Sequence, residues 1–369
     1  EATELFARGV GSSTDIVNKE MYTFVQKDRS ITLRPENTAG VVRAFIEHGM
    51  HRLPAPVKMW YKGPMFRYER PQAGRQRQFH QVGVEVFGVK EPSADAEVIK
   101  LAIDYLEALK IPNLTLEINS LGCGECRSVY REKIKETLLP KLEEFCPDCK
   151  VRYEKNPLRI LDCKNPKCQE MLAEPQVQEI INSDYICPDC VEHFEQLKGY
   201  LDALGIEYTV SKLLVRGLDY YNRTVFEIKS NALGSQNAVC GGGRYDPLVE
   251  MLGGPSTPGI GWAMGMERLL ALMPPVETKS IDAFVVSNFT KDALKLTEVL
   301  RANGISADFD MTNKKFAKQL DKASKLGAKY AIILGEDELN NNSLTVKNLK
   351  NGEQQTLSRD EAIAFLNNY

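Results

Sequence analysis

Eight of the nine cysteines of this 369-residue chain occur as four short pairs in one segment, and this spacing constrains the fold more than any other feature. The pairs are Cys123/Cys126, Cys146/Cys149, Cys163/Cys168 and Cys187/Cys190. Repeated pairs of this kind are typical of zinc-ribbon ligands, whereas nine cysteines are too few for a disulfide scaffold at this length. The thiolates could hold two structural Zn²⁺ ions, or they could be reduced cysteines without a metal. The spacing does not say which pairs combine.

Composition limits the class of protein to which the chain can belong. Lys and Arg total 47 against 50 for Asp and Glu, so any nucleic-acid partner must be met by local basic patches. Apolar residues make up 43% and charged residues 26%, as in ordinary globular proteins, and no run approaches the length of a membrane span. The sequence therefore predicts a cytoplasmic protein of two or three domains with no membrane partner.

Hydrophobic periodicity predicts helices and strands on both sides of the cysteine-rich segment. Helical spacing is found in Thr38–Gly49, Ser93–Leu109 and Gly265–Met273. The second of these helices is expected to have Ser93 as its N-cap. Strand patterns are found in Lys58–Phe66, Phe79–Val89, Leu114–Asn119 and Leu213–Ile228. The cysteine-rich segment itself has a mostly helical pattern and is predicted to be an inserted module.

A Pro-rich, polar stretch at 274–280 predicts a linker to a separate C-terminal domain. Strand and helix patterns alternate over 281–369, as expected of a small α/β domain. A predicted helix at Lys314–Leu326 belongs to a lysine-rich stretch, Thr312–Lys329, whose one acid is Asp321. Lysines three or four residues apart on a helix would form a cationic stripe suited to a phosphate backbone, or a solvated surface with no partner.

Another basic stretch lies between two predicted strands. Lys58–Arg77 carries six basic residues and one acid, Glu69, and the predicted hairpin loop Arg67–Gln78 lies at its end. An arginine near an acid on a strand is suited to binding a phosphate and a base edge together, and Phe79 offers a ring on which a purine could stack. For such a run taken alone, a solvated hairpin is the alternative.

Several motifs, in matching order, identify the family that this chain resembles. Phe66–Glu85 is similar to motif 2 of class II aminoacyl-tRNA synthetases, and Gly261–Leu269 is similar to their motif 3. Leu214–Glu227 and Cys240–Tyr245 resemble the two signatures peculiar to histidyl-tRNA synthetases, and Thr32–Gly40 resembles the amino-acid-binding loop of that family. The resemblance runs essentially from end to end and is of the bacterial type.

The resemblance implies an α+β fold. It consists of a class II synthetase catalytic domain on an antiparallel sheet, a helical, cysteine-rich insertion and a C-terminal α/β anticodon-binding domain. The expected divisions are 1–121 and 206–273 for the catalytic domain, 122–205 for the insertion, 274–280 for the linker and 281–369 for the anticodon-binding domain. The first motif of the family, which builds the dimer interface, is not visible, and its true absence would put dimerisation and activity in doubt.

The resemblance also implies a function, namely ATP-dependent activation of L-histidine to histidyl-adenylate and transfer of the histidyl group to the 3′ end of tRNA(His). The implied catalytic residues are Arg67, Arg216 and Arg268. The implied ATP-binding residues are Arg67, Glu69, Arg75, Phe79 and Arg268. The implied histidine-binding residues are Glu36, Thr38, Arg67, Gln81, Glu85, Arg216, Tyr220, Tyr221 and Tyr245. The implied tRNA contacts are Arg70, Arg75, Arg77, Lys314, Lys315 and Lys318.

The family further implies ATP with Mg²⁺ as cofactor, and tRNA(His), L-histidine, ATP and a second copy of the chain as partners. Taken singly, Glu36 could be only the first-turn acid of a helix and Tyr245 only a core tyrosine, while His193 is expected to have no functional role. A different class of function is a catalytically inactive, synthetase-like regulatory subunit of ATP phosphoribosyltransferase. Such subunits lose the tRNA-binding tail and much of the Leu214–Glu227 signature, and this chain keeps both.

Overall fold

The polypeptide forms two units, Glu1–Pro274 and Pro275–Tyr369, in a computed structural model. The structure describes residues 1–11, 14–71, 74–161, 163, 165–183, 185–233, 237–275, 281–312 and 314–367. The strands are β1 (Thr23–Gln26), β2 (Arg29–Thr32), β3 (Val57–Phe66), β4 (Gln78–Phe87), β5 (Leu114–Ser120), β6 (Thr209–Val210), β7 (Asn222–Ser230), β8 (Ala238–Arg244), β9 (Gly259–Gly265), β10 (Ala283–Val286), β11 (Ala307–Phe309), β12 (Tyr330–Ile333), β13 (Ser343–Asn348) and β14 (Gln354–Ser358). The helices are α1 (Thr3–Gly9), α2 (Thr38–Glu47), α3 (Pro92–Ala108), α4 (Gly124–Leu138), α5 (Pro147–Lys155), α6 (Pro166–Leu172), α7 (Pro175–Ile181), α8 (Pro188–Ala203), α9 (Leu248–Met251), α10 (Met266–Leu272), α11 (Thr290–Ala302), α12 (Phe316–Lys325), α13 (Glu336–Asn340) and α14 (Arg359–Asn367).

A seven-stranded sheet organises the first unit, in the order β3-β4-β9-β8-β7-β5-β6. Its neighbours pair antiparallel except β5 and the two-residue strand β6, so the predicted antiparallel sheet is confirmed. Side chains alternate between its faces. Ile260, Trp262 and Met264 of β9 pack in a core shared with α3 and α8, and the intervening Gly261 and Ala263 line a cavity on the other side.

The cysteine-rich segment is helical, as its pattern predicts. Helices α4 to α7 enclose a hydrophobic core of their own, which includes Tyr130, Ile134 and Leu158 together with three of the cysteines. Helix α8 instead packs Phe194 and Leu197 into the core behind the large sheet. One end of the segment is therefore joined to the seven-stranded sheet by apolar packing.

Two local expectations in the first unit are wrong. Helix α3 has Glu91 as its N-cap, without a side-chain capping bond, and Pro92 begins the helix. Proline favours this position because its fixed φ is helical and its missing N–H leaves no donor unpaired. The predicted strand Leu213–Ile228 forms only from Asn222 onward. The preceding residues lie outside the sheet, where the Arg216 guanidinium packs against Gly241 of β8.

The second unit has a five-stranded sheet, in the order β11-β10-β12-β13-β14. β10 pairs in parallel with β11 and β12, as expected of an α/β domain, and the antiparallel hairpin of β13 and β14 extends one edge. Residues 276–280 of the predicted linker lie outside the described residues. In the part of the chain that the structure describes, no helix combines the length and the hydropathy that crossing a bilayer requires.

The lysine-rich helix is shorter than predicted. Helix α12 begins at Phe316, so Lys314 and Lys315 precede it. A carboxylate oxygen of Asp310 accepts the backbone N–H of Lys314 at 2.9 Å, which holds the chain in a turn there. Lys322 also meets Asp310, at 3.3 Å, so the stripe is less continuous than the sequence suggests.

Candidate active site

Glycines on two neighbouring strands form the floor of a cavity in the first unit. Gly241 lies on β8 and Gly261 on β9. A Cβ atom at Gly241 would overlap the guanidinium of Arg216, and one at Gly261 would overlap the carboxyl group of Glu85. Because glycine has no side chain, these two charged groups can lie directly against the backbone of the sheet.

Glu85 is the centre of a buried polar group at one end of the cavity. Its side chain, on β4, accepts a hydrogen bond from Thr38 Oγ1 at 2.7 Å and another from the Tyr245 hydroxyl at 2.5 Å. Burial raises the pKa of Glu85 to about 8, although both hydroxyl donors act in the opposite direction. The carboxyl group can therefore hold or release a proton near neutral pH.

Three more predicted histidine-binding residues surround this group. The Glu36 carboxylate accepts the backbone N–H groups of Thr38 at 2.8 Å and Ala39 at 3.1 Å, so it caps α2 and also lines the cavity. Burial raises the pKa of Glu36. Tyr220 and Tyr221 are buried beside it, and the ring of Tyr220 lies edge-on to that of Tyr245 at 5.8 Å.

The hairpin between β3 and β4 brings two cations, an acid and a ring to one wall of the cavity. Arg67 Nε donates to the carbonyl of Pro35 at 2.8 Å, and its guanidinium lies 5.2 Å from the centre of the Phe79 ring. Glu69 meets Arg67 at 3.6 Å and Arg75 at 3.4 Å. Such a cluster suits a phosphate next to an aromatic base, since the guanidinium fork matches phosphate oxygens.

The other two predicted catalytic arginines reach the same cavity from separate elements. Arg268, on α10, donates to the carbonyls of Gly74 at 3.0 Å and Ala238 at 2.7 Å. Arg216 donates from Nη1 to Glu227 Oε1 at 2.7 Å. Both guanidinium groups are therefore held in place by protein acceptors on the cavity wall.

Every residue predicted to bind ATP or histidine lines this one cavity of about 230 Å³. These residues are Glu36, Thr38, Arg67, Glu69, Arg75, Phe79, Gln81, Glu85, Arg216, Tyr220, Tyr221, Tyr245 and Arg268. Gln81 Oε1 and Arg216 Nε are buried, with no hydrogen-bond partner among the described residues. Buried polar atoms of this kind are costly unless a ligand bonds to them. The cavity therefore has the polarity expected of a site for charged substrates.

Comparison with known proteins decides the family. A family model described as histidyl-tRNA synthetase matches residues 1–125 and 172–269, and one described as an anticodon binding domain matches 271–369. The chain belongs to the histidyl-tRNA synthetase family. A histidine–tRNA ligase from Desulforamulus reducens is 49% identical over 376 residues, which cover 99% of this chain and 88% of that protein. The crystal structure of the apo S. aureus histidyl-tRNA synthetase is 39% identical with a TM-score of 0.76, covering 99% of this chain and 88% of the other.

The function of the chain is accordingly histidine–tRNA ligation, as the motifs predicted, and the class II synthetase fold is confirmed. The comparisons favour this function over that of a regulatory subunit. A Bacillus halodurans structure titled as an ATP phosphoribosyltransferase regulatory subunit/histidyl-tRNA synthetase has a TM-score of 0.62 at 19% identity, covering 89% of this chain and 87% of that one. A likeness at that identity shows a shared fold alone.

The paired cysteines of this family member form two clusters, and the structure supplies the pairing that spacing could not. Cluster 1 consists of Cys123, Cys126, Cys187 and Cys190, and cluster 2 of Cys146, Cys149, Cys163 and Cys168. Within each cluster all four sulfur atoms lie within 4.8 Å of one another. The first pair in the sequence thus joins the last pair, and the two middle pairs join each other.

The predicted tRNA contacts lie outside the substrate cavity, apart from Arg75. Arg70 is exposed, and Arg77 stacks on the ring of Tyr68 at 4.5 Å. Lys314, Lys315 and Lys318 are exposed in the second unit, and their side chains form no ion pair with an acid among the described residues. These basic groups are therefore available to a phosphate backbone.

A buried ionic network behind the site was not singled out in the sequence. Asp95 and Arg244 are both fully buried and meet at 2.7 Å. The same carboxylate accepts from the Thr224 hydroxyl at 2.5 Å and bonds Nε2 of the buried His193 at 2.9 Å, so His193 is part of the structural network. Because Arg244 is the last residue of β8 and directly precedes Tyr245, this network fixes the position of the backbone at Tyr245. The sequence signal for this network is Arg244, a charged residue at the end of the otherwise apolar, glycine-rich strand β8.

Proposed function

We propose that the cavity binds ATP and L-histidine side by side and joins them as histidyl-adenylate, which then charges tRNA(His). One observation carries this proposal: guanidinium groups at Arg67, Arg216 and Arg268 share a cavity with the buried Glu85–Tyr245 pair. Cations suit the triphosphate, and a carboxyl–hydroxyl pair suits the two ring nitrogens of an imidazole.

In this assignment, Arg67 holds the ATP α-phosphate and the histidine carboxylate. Glu69 contacts the adenine edge, and Phe79 and Arg268 cover the two faces of the adenine ring. Arg75 adds positive charge beside the β- and γ-phosphates. The present pairing of Glu69 with Arg67 and Arg75, at 3.6 and 3.4 Å, supports this arrangement because it holds the acid at the cavity wall.

The amino acid occupies the other end of the cavity. Glu36, Thr38 and Gln81 bind its ammonium group, and the unpaired buried oxygen of Gln81 is an acceptor for that donor. Glu85, Tyr221 and Tyr245 contact the imidazole, while Tyr220 packs against them. A site of this kind should reject similar amino acids that lack ring nitrogens, since its own polar groups would remain unpaired.

The reaction is an in-line displacement. A carboxylate oxygen of histidine attacks the α-phosphorus, the bond to the bridging oxygen breaks, and pyrophosphate leaves with the electron pair. Arg67 and Arg216 stabilise the charge that develops on the α-phosphate, as expected where positioning and electrostatics supply most of the rate. The lining carboxylates Glu227 and Glu267 would offer oxygen ligands of the type that Mg²⁺ prefers, and a Mg²⁺ ion bound with ATP would neutralise phosphate charge.

Histidine-dependent ATP–pyrophosphate exchange tests the activation step. We expect exchange with L-histidine and none with phenylalanine or glutamine at the same concentration. A chain that shows no exchange with any amino acid, while remaining folded by circular dichroism, would contradict the proposed function and would fit a binding or regulatory protein instead.

We place tRNA(His) against the motif 2 loop residues Arg70, Arg75 and Arg77 and the lysines of the second unit. Changing Lys315 and Lys318 together to alanine is expected to raise the KM for tRNA in charging by roughly tenfold, because two phosphate-neutralising charges are lost. Pyrophosphate exchange should not change, since it needs no tRNA.

The matched control for the two lysines lies on the neighbouring helix. Lys291 and Lys295 are both exposed on α11, and their double alanine variant removes the same charge from another face. Equal loss of charging in both variants would indicate a general charge effect, and loss of exchange together with charging would contradict a role confined to tRNA.

Each cysteine cluster is proposed to hold one structural Zn²⁺ ion. A tetrahedron with Zn–S bonds of about 2.3 Å separates its sulfurs by about 3.8 Å. The observed separations of 3.5 Å for Cys123 and Cys126 and 3.9 Å for Cys146 and Cys163 are close to this value. The thiol groups therefore fit the metal, which would add folding free energy to the helical segment.

We also propose that the protein acts as a homodimer in the cytoplasm. Strand β3 is an edge of the large sheet and exposes 72% of Trp60, and an exposed apolar side chain on a sheet edge is a candidate contact for a second copy. Free thiols suit a reducing compartment. Sedimentation equilibrium should give twice the mass of the chain, and the Trp60→Lys variant should shift the protein towards monomer. A wild-type mass equal to one chain would contradict the dimer.

A further inference from the structure

Cluster 1 lies where two helices begin next to the catalytic sheet. Cys123 is the N-cap of α4 and Cys187 is the N-cap of α8. The backbone N–H of Cys187 donates to Cys126 Sγ at 3.0 Å, so the two helix starts are already in contact through a ligand atom. A metal ion at these four sulfurs would fix the position of α4 relative to α8.

The residue after Cys126 reaches from this cluster into the loop that carries two substrate-site tyrosines. Arg127 Nη1 donates to the backbone carbonyl of Asp219 at 3.1 Å and to that of Tyr221 at 2.7 Å. These two carbonyls flank Tyr220. The start of α4 therefore sets the path of the backbone from which both tyrosine side chains enter the cavity.

The same loop is held from its other end by backbone and side-chain contacts. Leu121 N–H donates to the carbonyl of Arg223 at 2.7 Å, and Arg223 N–H donates to that of Gly122 at 2.8 Å, one residue before Cys123. The Arg223 guanidinium donates to Nδ1 of His193 at 3.3 Å, and His193 lies on α8 three residues after Cys190. Both cysteine pairs of cluster 1 are thus connected to the loop.

Cluster 2 has a different environment. Cys149, Cys163 and Cys168 belong to the hydrophobic core of the helical segment itself. It is linked to the loop that carries Tyr220 and Tyr221 by a hydrogen bond from Asn156 Nδ2 to Asp219 Oδ1 at 2.7 Å, seven residues beyond Cys149. Loss of a metal from cluster 2 should therefore loosen the segment as a whole, whereas loss from cluster 1 acts next to the loop.

We infer that Zn²⁺ bound at cluster 1 positions the 219–223 loop, through Arg127 and Arg223, and so sets the affinity of the site for histidine. This inference rests on the proposed function, because it takes the cavity to be the histidine site. The metal is a positioning element and touches no substrate. A displacement of a binding group by about 1 Å can cost a factor of ten to a hundred, so the effect should be measurable.

The test compares four variants of the full chain loaded with Zn²⁺: Cys187→Ser, Arg127→Ala, Arg127→Lys and Arg131→Ala. Zinc per chain is measured by elemental analysis, and the KM values for histidine and ATP by pyrophosphate exchange. Histidine binding is measured separately by calorimetry. Arg131 is the matched control, since it lies one turn further along α4 and donates to the carbonyl of Lys155, at 3.2 Å, outside the 219–223 loop.

We expect Cys187→Ser to lose one of two zinc equivalents and to raise the KM for histidine about tenfold, with little change in the KM for ATP. Arg127→Ala should keep both zinc equivalents and still weaken histidine binding in the same direction. Arg127→Lys should recover part of the affinity because it retains one donor. Arg131→Ala should match the wild-type protein in all of these measurements.

Separate results overturn separate parts of the inference. Unchanged histidine affinity in Arg127→Ala would disprove the positioning role, even if Cys187→Ser does not fold. If wild-type protein without zinc shows normal exchange, the proposed role of Zn²⁺ at cluster 1 is wrong. The intact mass would then show whether the cysteines form disulfides instead. Absence of exchange in the zinc-loaded wild-type chain would count against the proposed function itself.

Discussion

Replacing Arg216 with alanine is expected to lower the rate of histidine-dependent pyrophosphate exchange by about a thousandfold, because a guanidinium that stabilises charge in phosphoryl transfer contributes on that scale. Arg216 lies against the backbone of Gly241 and bonds Glu227 at 2.7 Å, so its position is set before substrates bind. Without Arg216, Glu227 still has Lys229 as a cationic partner at 3.8 Å, so thermal unfolding should change little.

The control for this prediction is Arg216→Lys. Lysine keeps the positive charge and an ion pair with Glu227, but it lacks the planar fork that contacts two phosphate oxygens together. Its exchange rate should therefore fall between that of the wild type and that of the alanine variant. Unchanged turnover in Arg216→Ala would show that the arginine has a different role.

Glu85→Gln is expected to weaken histidine binding by about ten- to a hundredfold, since a hydrogen bond to a charged group contributes about 1.5–3 kcal/mol. Glutamine has nearly the same shape, and its amide can still bond the hydroxyls of Thr38 and Tyr245, so the fold should persist. Glu69→Gln is the matched change at the other end of the cavity and should raise the KM for ATP without affecting that for histidine. The reverse pattern would contradict the assignment of the two ends.

The pKa of Glu85 predicts how histidine affinity varies with pH. Between about pH 6.5, the pKa of a free imidazole, and about pH 8, the Glu85 carboxyl group of the free site is protonated and the imidazole of free histidine is neutral. The two groups together therefore hold one proton in this range. The bound pair is expected to hold one proton as well, so the affinity should be constant over this range. The histidine affinity should fall at lower pH, where the free carboxyl group and the free imidazole together hold two protons. It should also fall at higher pH, where the two groups hold none. Glu85→Gln should lose the high-pH decrease, and an unchanged profile would contradict the prediction.

The candidate site could be listed because several motifs, in matching order, resemble those of one family. Taken alone, the basic hairpin Arg67–Gln78 is equally compatible with a solvated surface, so its residue types suggest a charged ligand without requiring one. Strand alternation places β3, β4 and β5 within one or two residues of their observed bounds. These signals are local, and local patterns are what a sequence displays directly.

The parts that could not be predicted depend on contacts between distant segments. The residues before Asn222 have the side-chain pattern of a strand, but they lie outside the sheet, and the Arg216 guanidinium packs against Gly241. The cysteine spacing could not show that α4 and α8 begin side by side, which decides the composition of cluster 1. The lysine pattern could not show that Asp310 holds Lys314 in a turn ahead of α12.

The glycine floor also bears on drug resistance. At Gly241 and Gly261 any added side chain would enter the space that Arg216 and Glu85 occupy, so a substitution there harms the natural substrates as much as any foreign molecule. Few substitutions beneath an inhibitor that lies flat on these two strands would therefore give resistance while keeping the synthetase active.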